Sequence, residues 1–536
     1  MEEELQNQQK KKLTPEVINL LEDRINFKLS LRKKKYNEFF TKRRIIQPKS
    51  NISSRPYELF LSTLKLPSSY KLIFSKDDEL ISTALNSIKS DDVSEVLYGV
   101  CLLKSYITHF LDDDILTQNL NLNFISDLLN LLEKWCEKRE LKIIYNTLYI
   151  ITNYSYANEN KLISKILLSS KGYKIWELCF NLQDYEIMSQ MVWILQNITY
   201  EDKEGSYNLL KSNFFKNNIL SFYSNQNIVS HLNEKDPENI FHIIIECGLG
   251  LLSNLISVEY PSSYDTKERY KLALPVFDLI LKYADSNSEK IYHSCIYSIC
   301  LAIDEEPDLI ESLDSTNIIN DILNKKFFSN ESLVLYANRI IGNYTANKSK
   351  LSDEFYNKCI QYEFDIYFGI KNPLAVKETF WVLSNILKDY QNAGLIICNN
   401  EPFINQTIYR YQNIVELSEI HELAYFFHSL ICKCGIQNFI KLQGKGLLDI
   451  TMKHAKVTFE QPKKLVTIFR FIEECLFIGD SVRDNFMGKN LIKEKCDELG
   501  LKDLLEKYEN TENIELYEII EKINNTYYKD DNLFEY

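Results

Sequence analysis

Three stretches of this 536-residue chain share one pattern, an aromatic residue, three residues, then Asn: Tyr149-Ile-Ile-Thr-Asn153, Trp193-Ile-Leu-Gln-Asn197 and Trp381-Val-Leu-Ser-Asn385. An Asn side chain carries one carbonyl and one NH₂ group, so a row of them can hydrogen-bond a peptide backbone without reading its sequence. Aromatic faces between them can stack on the stems of Lys side chains and attract the ammonium heads, at about 0.5 to 2 kcal/mol each. Nearby carboxylates such as Glu201, Asp304 and Glu422 would select positive charge. The chemistry suits an extended strand rich in Lys and Arg.

Such a row needs elements that repeat. Weaker copies of the pattern are Gly250-Leu-Leu-Ser-Asn254, Tyr297-Ser-Ile-Cys-Leu301, Arg339-Ile-Ile-Gly-Asn343 and Tyr425-Phe-Phe-His-Ser429. The successive last positions lie 44, 57, 47, 42, 42 and 44 residues apart, with one insertion near residues 202 to 240. That period is the period of armadillo or HEAT units, which stack into a solenoid with a concave binding face. With only 14 Gly and 11 Pro in the chain, the elements are predicted to be helices almost throughout. On a helix, Trp193 shares its stripe with Glu186, Ser189, Gln190, Asn197, Tyr200 and Glu201, while Ile187, Met188, Met191, Ile194, Leu195 and Ile198 face elsewhere. Trp381 likewise shares a stripe with Lys377, Glu378, Asn385, Lys388 and Asp389. Both indoles are therefore expected on a polar face; the plainer reading is an inter-repeat contact, since most Trp are highly buried.

Charge divides the chain. Residues 1 to 50 hold 13 basic and 7 acidic side chains, and the remainder holds 49 against 68. A basic arm tethered to an acidic body is expected to lie back on it and compete with external basic peptides. Three readings of the arm stand open: a solvated tail, a basic amphipathic helix for a membrane surface, or a segment that binds a partner. Ile18, Leu21, Ile25, Leu29, Phe39 and Phe40 interleave its charges, and Thr14-Pro15-Glu16 is a plausible helix start. Nucleic acid is disfavoured because the body's excess of carboxylates repels phosphate. No apolar run reaches membrane-spanning length and no signal-peptide pattern opens the chain, so the protein is expected in the cytosol. The 12 Cys read as reduced core thiols and the seven His show no metal spacing beyond ordinary helix neighbours. No Gly-rich phosphate loop or catalytic constellation occurs, so neither catalysis nor a cofactor is expected.

Together these residues resemble importin alpha, the armadillo-repeat adaptor family that carries nuclear localisation signals, over nearly the whole length. Leu31, Arg32, Lys33, Lys35, Lys42, Arg43 and Arg44 fall at the spacing of that family's importin-beta-binding segment, with Arg24 seven residues before Leu31. Leu21, Glu22 and Asp23 stand where the family has further Arg. The resemblance implies an all-α, right-handed α-solenoid of about ten armadillo repeats: a basic arm over 1–50, a linker over 51–75, the solenoid over 76–510, and a C-terminal helix end with an acidic tail over 511–536. It implies a major site of Tyr149, Asn153, Trp193, Asn197, Glu201 and Asn254, and a minor site of Arg339, Asn343, Trp381, Asn385, Glu422 and Tyr425. Gly250 and Tyr149 replace Trp of the major site; Leu301 and Ser429 replace polar or amide positions. Implied partners are importin beta, cargo with basic localisation signals, and an export receptor working with the Ran GTPase, with shuttling between cytoplasm and nucleus. Neither nucleic acid nor membrane is an expected partner. The alternative function is an armadillo-repeat scaffold, such as a cytoskeletal or chaperone platform, without import activity.

Overall fold

The computed structural model describes residues 78–109, 122–157, 161–225, 228, 240–256, 266–285, 288–325, 330–348, 351–457, 462–486 and 488–528. The arm residues Arg24, Leu31, Arg32, Lys33, Lys35, Lys42, Arg43 and Arg44, the linker over 51–75 and the acidic tail lie outside them, as does the side chain of Glu201.

Every regular element among the described residues is helical, and these residues fall into two compact units divided between Ile318 and Ile319. The N-terminal unit carries five long helices that pack in succession: α1 (Val93–His109), α2 (Leu141–Ala157), α3 (Tyr185–Glu201), α4 (Ile240–Ile256) and α5 (Glu289–Glu305). The C-terminal unit repeats the arrangement with α6 (Glu331–Asn347), α7 (Pro373–Asp389), α8 (Leu417–Ile431), α9 (Pro462–Ser481) and α10 (Ile514–Tyr527). Other helices back them, Leu122–Lys138 against α2, Ser170–Asn181 against α3, and Asp353–Gly369 against α7. Each helix of a row touching the next one along is the wiring of an α-solenoid.

Side-chain caps fix where these helices begin. Asp184 accepts from Ile187 N at 3.0 Å to start α3, Asn330 from Leu333 N at 3.2 Å to start α6, and Asn513 from Leu516 N at 2.9 Å to start α10. Asn372 does the same for α7 at 2.9 Å, with Pro373 in the first turn. Each such cap satisfies an otherwise orphaned N–H and contributes about 1 kcal/mol. From α1 to α7 each helix has 17 residues, close to 25 Å at the helical rise, so successive helices within each unit present matching lengths.

A helix with neighbours on both sides and a third helix behind has little surface left. In α3 every residue from Ile187 to Thr199 is buried. The expectation of indoles on a solvent-facing polar stripe is therefore corrected: Trp193 is 9% exposed and Trp381 5%. The helical wheel separated polar from apolar correctly, but the polar side faces neighbouring helices. Ten of the twelve cysteines are buried free thiols, Cys398 is half-buried and Cys432 is exposed, which fits the reading of reduced core thiols. No described helix is long and apolar enough to cross a membrane.

Candidate functional site

In the N-terminal unit the expected major-site residues lie on three successive helices. Asn197 and Asn254 make the same connection. Asn197 Nδ2 donates to Thr152 O of α2 at 3.1 Å and to Ser155 Oγ at 3.3 Å. Asn254 Nδ2 donates to Gln196 O of α3 at 2.8 Å and to Thr199 Oγ1 at 3.4 Å. In both cases the accepting carbonyl belongs to the residue just before the Asn of the preceding helix. The NH₂ group of each amide is thus engaged by the scaffold, and Asn197 Oδ1 is itself buried. Thr152 Oγ1 also donates to Gln190 Oε1 at 3.2 Å, so the polar stripe of α3 ties helices together. Asn153 and Asn254 remain half-buried, whereas Asn197 is 2% exposed.

The aromatic positions of this unit are also occupied. Lys104 of α1 places Nζ 4.2 Å from the centroid of the Tyr149 ring and donates to Asn146 Oδ1 at 2.9 Å. Burial pushes the Lys104 ammonium down to about 8. At Gly250, where a side chain would stand, the Gln196 amide of the preceding helix lies so close that an added Cβ would sit 2.1 Å from its Nε2. Half-buried Tyr200 and Glu246 and exposed Glu186 remain along the same helices, with half-buried Asp304 on α5. Burial raises the Glu186 carboxyl, and Asp184 beside it adds to the effect.

The expected minor site sits in the C-terminal unit and is more tightly closed. Arg339, 2% exposed, donates from Nη1 to Glu378 Oε1 at 3.1 Å, and its guanidinium lies 6.0 Å from the Trp381 ring. The indole rests on the backbone of α6 at Gly342, where an added Cβ would fall 2.0 Å from Cζ3. Asn385 Nδ2 donates to Gly342 O at 3.2 Å, again the carbonyl just before an Asn of the preceding helix. Asn343 and Glu422 are each 6% exposed, and Tyr425 is half-buried. At the two departures the link is missing: Leu301 is buried, and Ser429 Oγ turns to Tyr425 O of its own helix at 3.0 Å. Behind this site Glu363 is fully buried, and that burial holds its carboxyl well above the usual range; Glu378 pushes the same way while Thr379 and Asn338 partly oppose.

The structure thus brings Arg339 and Trp381 together and joins Asn197 to the residues around Asn153. Spacing alone did not reveal Lys104, Asn146, Gln196, Gly342 or Glu378, because each acts across a helix pair. One signal was available for Gly342: a glycine inside an apolar helix implies something lying close against it.

No protein-family model matches the chain, and no curated protein sequence does. Among solved structures, an engineered protein determined by crystallography is similar over 83% of this chain and 97% of its own, with 11% identity and a TM-score of 0.60. That likeness concerns the fold. A designed armadillo repeat protein in complex with the peptide (KR)4 matches 50% of this chain and 100% of its own, at 13% identity and a TM-score of 0.37. A second designed armadillo repeat protein matches 49% and 99%, at 14% identity and a TM-score of 0.38.

Proposed function

We propose that this chain is a non-catalytic solenoid adaptor that binds extended Lys/Arg-rich peptides along the helices α2 to α4, in the manner of importin alpha. The observation that carries the reading is Lys104. Its ammonium sits over the Tyr149 ring and donates to an Asn carbonyl, the same pair of contacts that a lysine of a bound peptide would need. Half-exposed carboxylates along the same helices supply the matching charge. The finer reading takes importin beta as the partner of residues 1–50, a basic localisation signal as cargo, and an export receptor with Ran as the means of return, with the protein shuttling between cytoplasm and nucleus. The Lys42, Arg43 and Arg44 end of the arm would then compete for the cargo row at roughly millimolar effective concentration.

A second reading, a repeat scaffold that takes no basic cargo, draws on the burial of Trp193 and Trp381. Fluorescence anisotropy with a labelled Lys-rich peptide separates the two. Under the adaptor reading, removal of residues 1–50 raises peptide affinity and abolishes capture of importin beta, a lysine of the peptide takes the place of Lys104 over the Tyr149 ring, and Tyr149→Ala weakens the peptide by about 1 to 2 kcal/mol. Trp193→Ala is expected to lower stability by about 3 to 5 kcal/mol, as for any buried Trp, so the decisive quantity is peptide affinity of the variant that remains folded. Peptide binding that is absent, or indifferent to Tyr149→Ala, Trp193→Ala and the arm alike, would establish the scaffold reading.

A further inference from the structure

At the C-terminal end of α8 three side chains of different chemistry converge. His428 and Cys432 are four residues apart, on one face of the helix, with Nε2 and Sγ 3.9 Å from each other. Glu474 reaches them from α9, and the ligand atoms of all three lie within 4.8 Å of one another. A tetrahedral zinc ion with Zn–S of about 2.3 Å and Zn–N of about 2.0 Å would hold those two atoms roughly 3.6 Å apart. The separation present is within a small rotamer adjustment of that value. We propose that His428, Cys432 and Glu474 form a three-ligand site for a divalent transition metal of the zinc type, which pins α8 to α9.

The surroundings favour such an ion. Thiolate, carboxylate and neutral imidazole together carry two negative charges, which a divalent cation neutralises. His428 coordinates as the neutral imidazole, the form that offers a nitrogen lone pair to the ion. The site also lies where the helix dipole presents its negative end to a cation, since the Cys432 N–H, bonded to His428 O, closes the last turn of α8. Of the facing charged groups, Arg470 is paired with Glu515 and Glu473 with Lys522, leaving Glu474 as the carboxylate directed at the thiol. Coordination requires the Cys432 thiolate, so binding releases the thiol proton and strengthens with rising pH. The mixed nitrogen, sulfur and oxygen set suits zinc or cobalt over magnesium or calcium, and three protein ligands leave one position for water. Sequence spacing concealed the site because the third ligand comes from the next helix of the row.

The site is independent of the peptide-binding reading. Its test is a titration of the full, tag-free chain with Co²⁺, followed by absorbance. One equivalent should produce the tetrahedral d–d bands and the thiolate-to-cobalt charge-transfer band, and one equivalent of Zn²⁺ should abolish both. Cys432→Ser should remove the charge-transfer band, His428→Gln and Glu474→Gln should each weaken binding by about tenfold or more, and Cys398→Ser should change nothing. Zn²⁺ should raise the melting temperature of the parent and not of Cys432→Ser. Absence of the bands in the parent, or their persistence in Cys432→Ser with an unchanged far-ultraviolet spectrum, overturns the assignment. A matching loss in Cys398→Ser would overturn it equally, by placing the metal on another thiol.

Discussion

At the scale of single residues, the most exacting position is Glu363. Its carboxyl is enclosed on all sides and held in the protonated form by burial, with Glu378 acting in the same sense. The unfolded chain releases that proton near 4.5, while the native protein keeps it to higher pH. Between those two values the native state binds more protons, so stability falls as pH rises, by at most about 1.4 kcal/mol per pH unit. Glu363→Gln keeps the shape, carries no charge at any pH and abolishes that slope. Thermal melts should show the variant gaining on the parent as pH rises above about 4.5. A gain that is constant across the range would mean that Glu363 is ionised in the native protein.

At the scale of helices, glycines mark where one element presses on the next. An Ala at Gly342 would drive its methyl group into the rigid indole of Trp381, at 2.0 Å from Cζ3. Overpacking of that kind costs about 1 to 3 kcal/mol, against about 1 kcal/mol gained in helix propensity. The nearest atoms to Gly250 are those at the end of the Gln196 side chain, which can swing away. Urea midpoints should therefore fall for Gly342→Ala and stay level or rise for Gly250→Ala, and Trp381→Leu should recover part of the loss in the first. Equal effects at the two glycines would contradict this account. Much of the helical layout was legible: the recurrence of the aromatic-to-Asn pattern at 42 to 57 residues and the scarcity of turn residues both pointed to repeating helices. What a single-helix projection could not supply was the identity of the medium outside. A polar side chain satisfied by a carbonyl of the adjacent helix, as Asn197 is by Thr152, has the same place on the wheel as one satisfied by water. For that reason the positions of the row were readable, and the burial of Trp193 and Trp381 was not.

At the scale of the whole molecule, stability should behave as a chain of nearest-neighbour terms. Arg339→Met would strand the Glu378 carboxylate without its partner, at a cost of about 3 to 5 kcal/mol. Hydrogen exchange should then accelerate in α6 and α7 and remain unchanged in α2 to α4, which belong to the other unit. A uniform loss of protection across both units would rule out nearest-neighbour behaviour. The amide links carry a direction as well. In each one the donor comes later in the chain than the acceptor, Asn197 by 45 residues, Asn254 by 58 and Asn385 by 43. During synthesis at about 5 to 20 residues per second, each carbonyl leaves the ribosome roughly 2 to 12 s before the amide that will clasp it. For these three links the nascent chain therefore need not wait on a later segment: the helix that carries the amide finds its acceptor already made, and their closure can keep pace with translation.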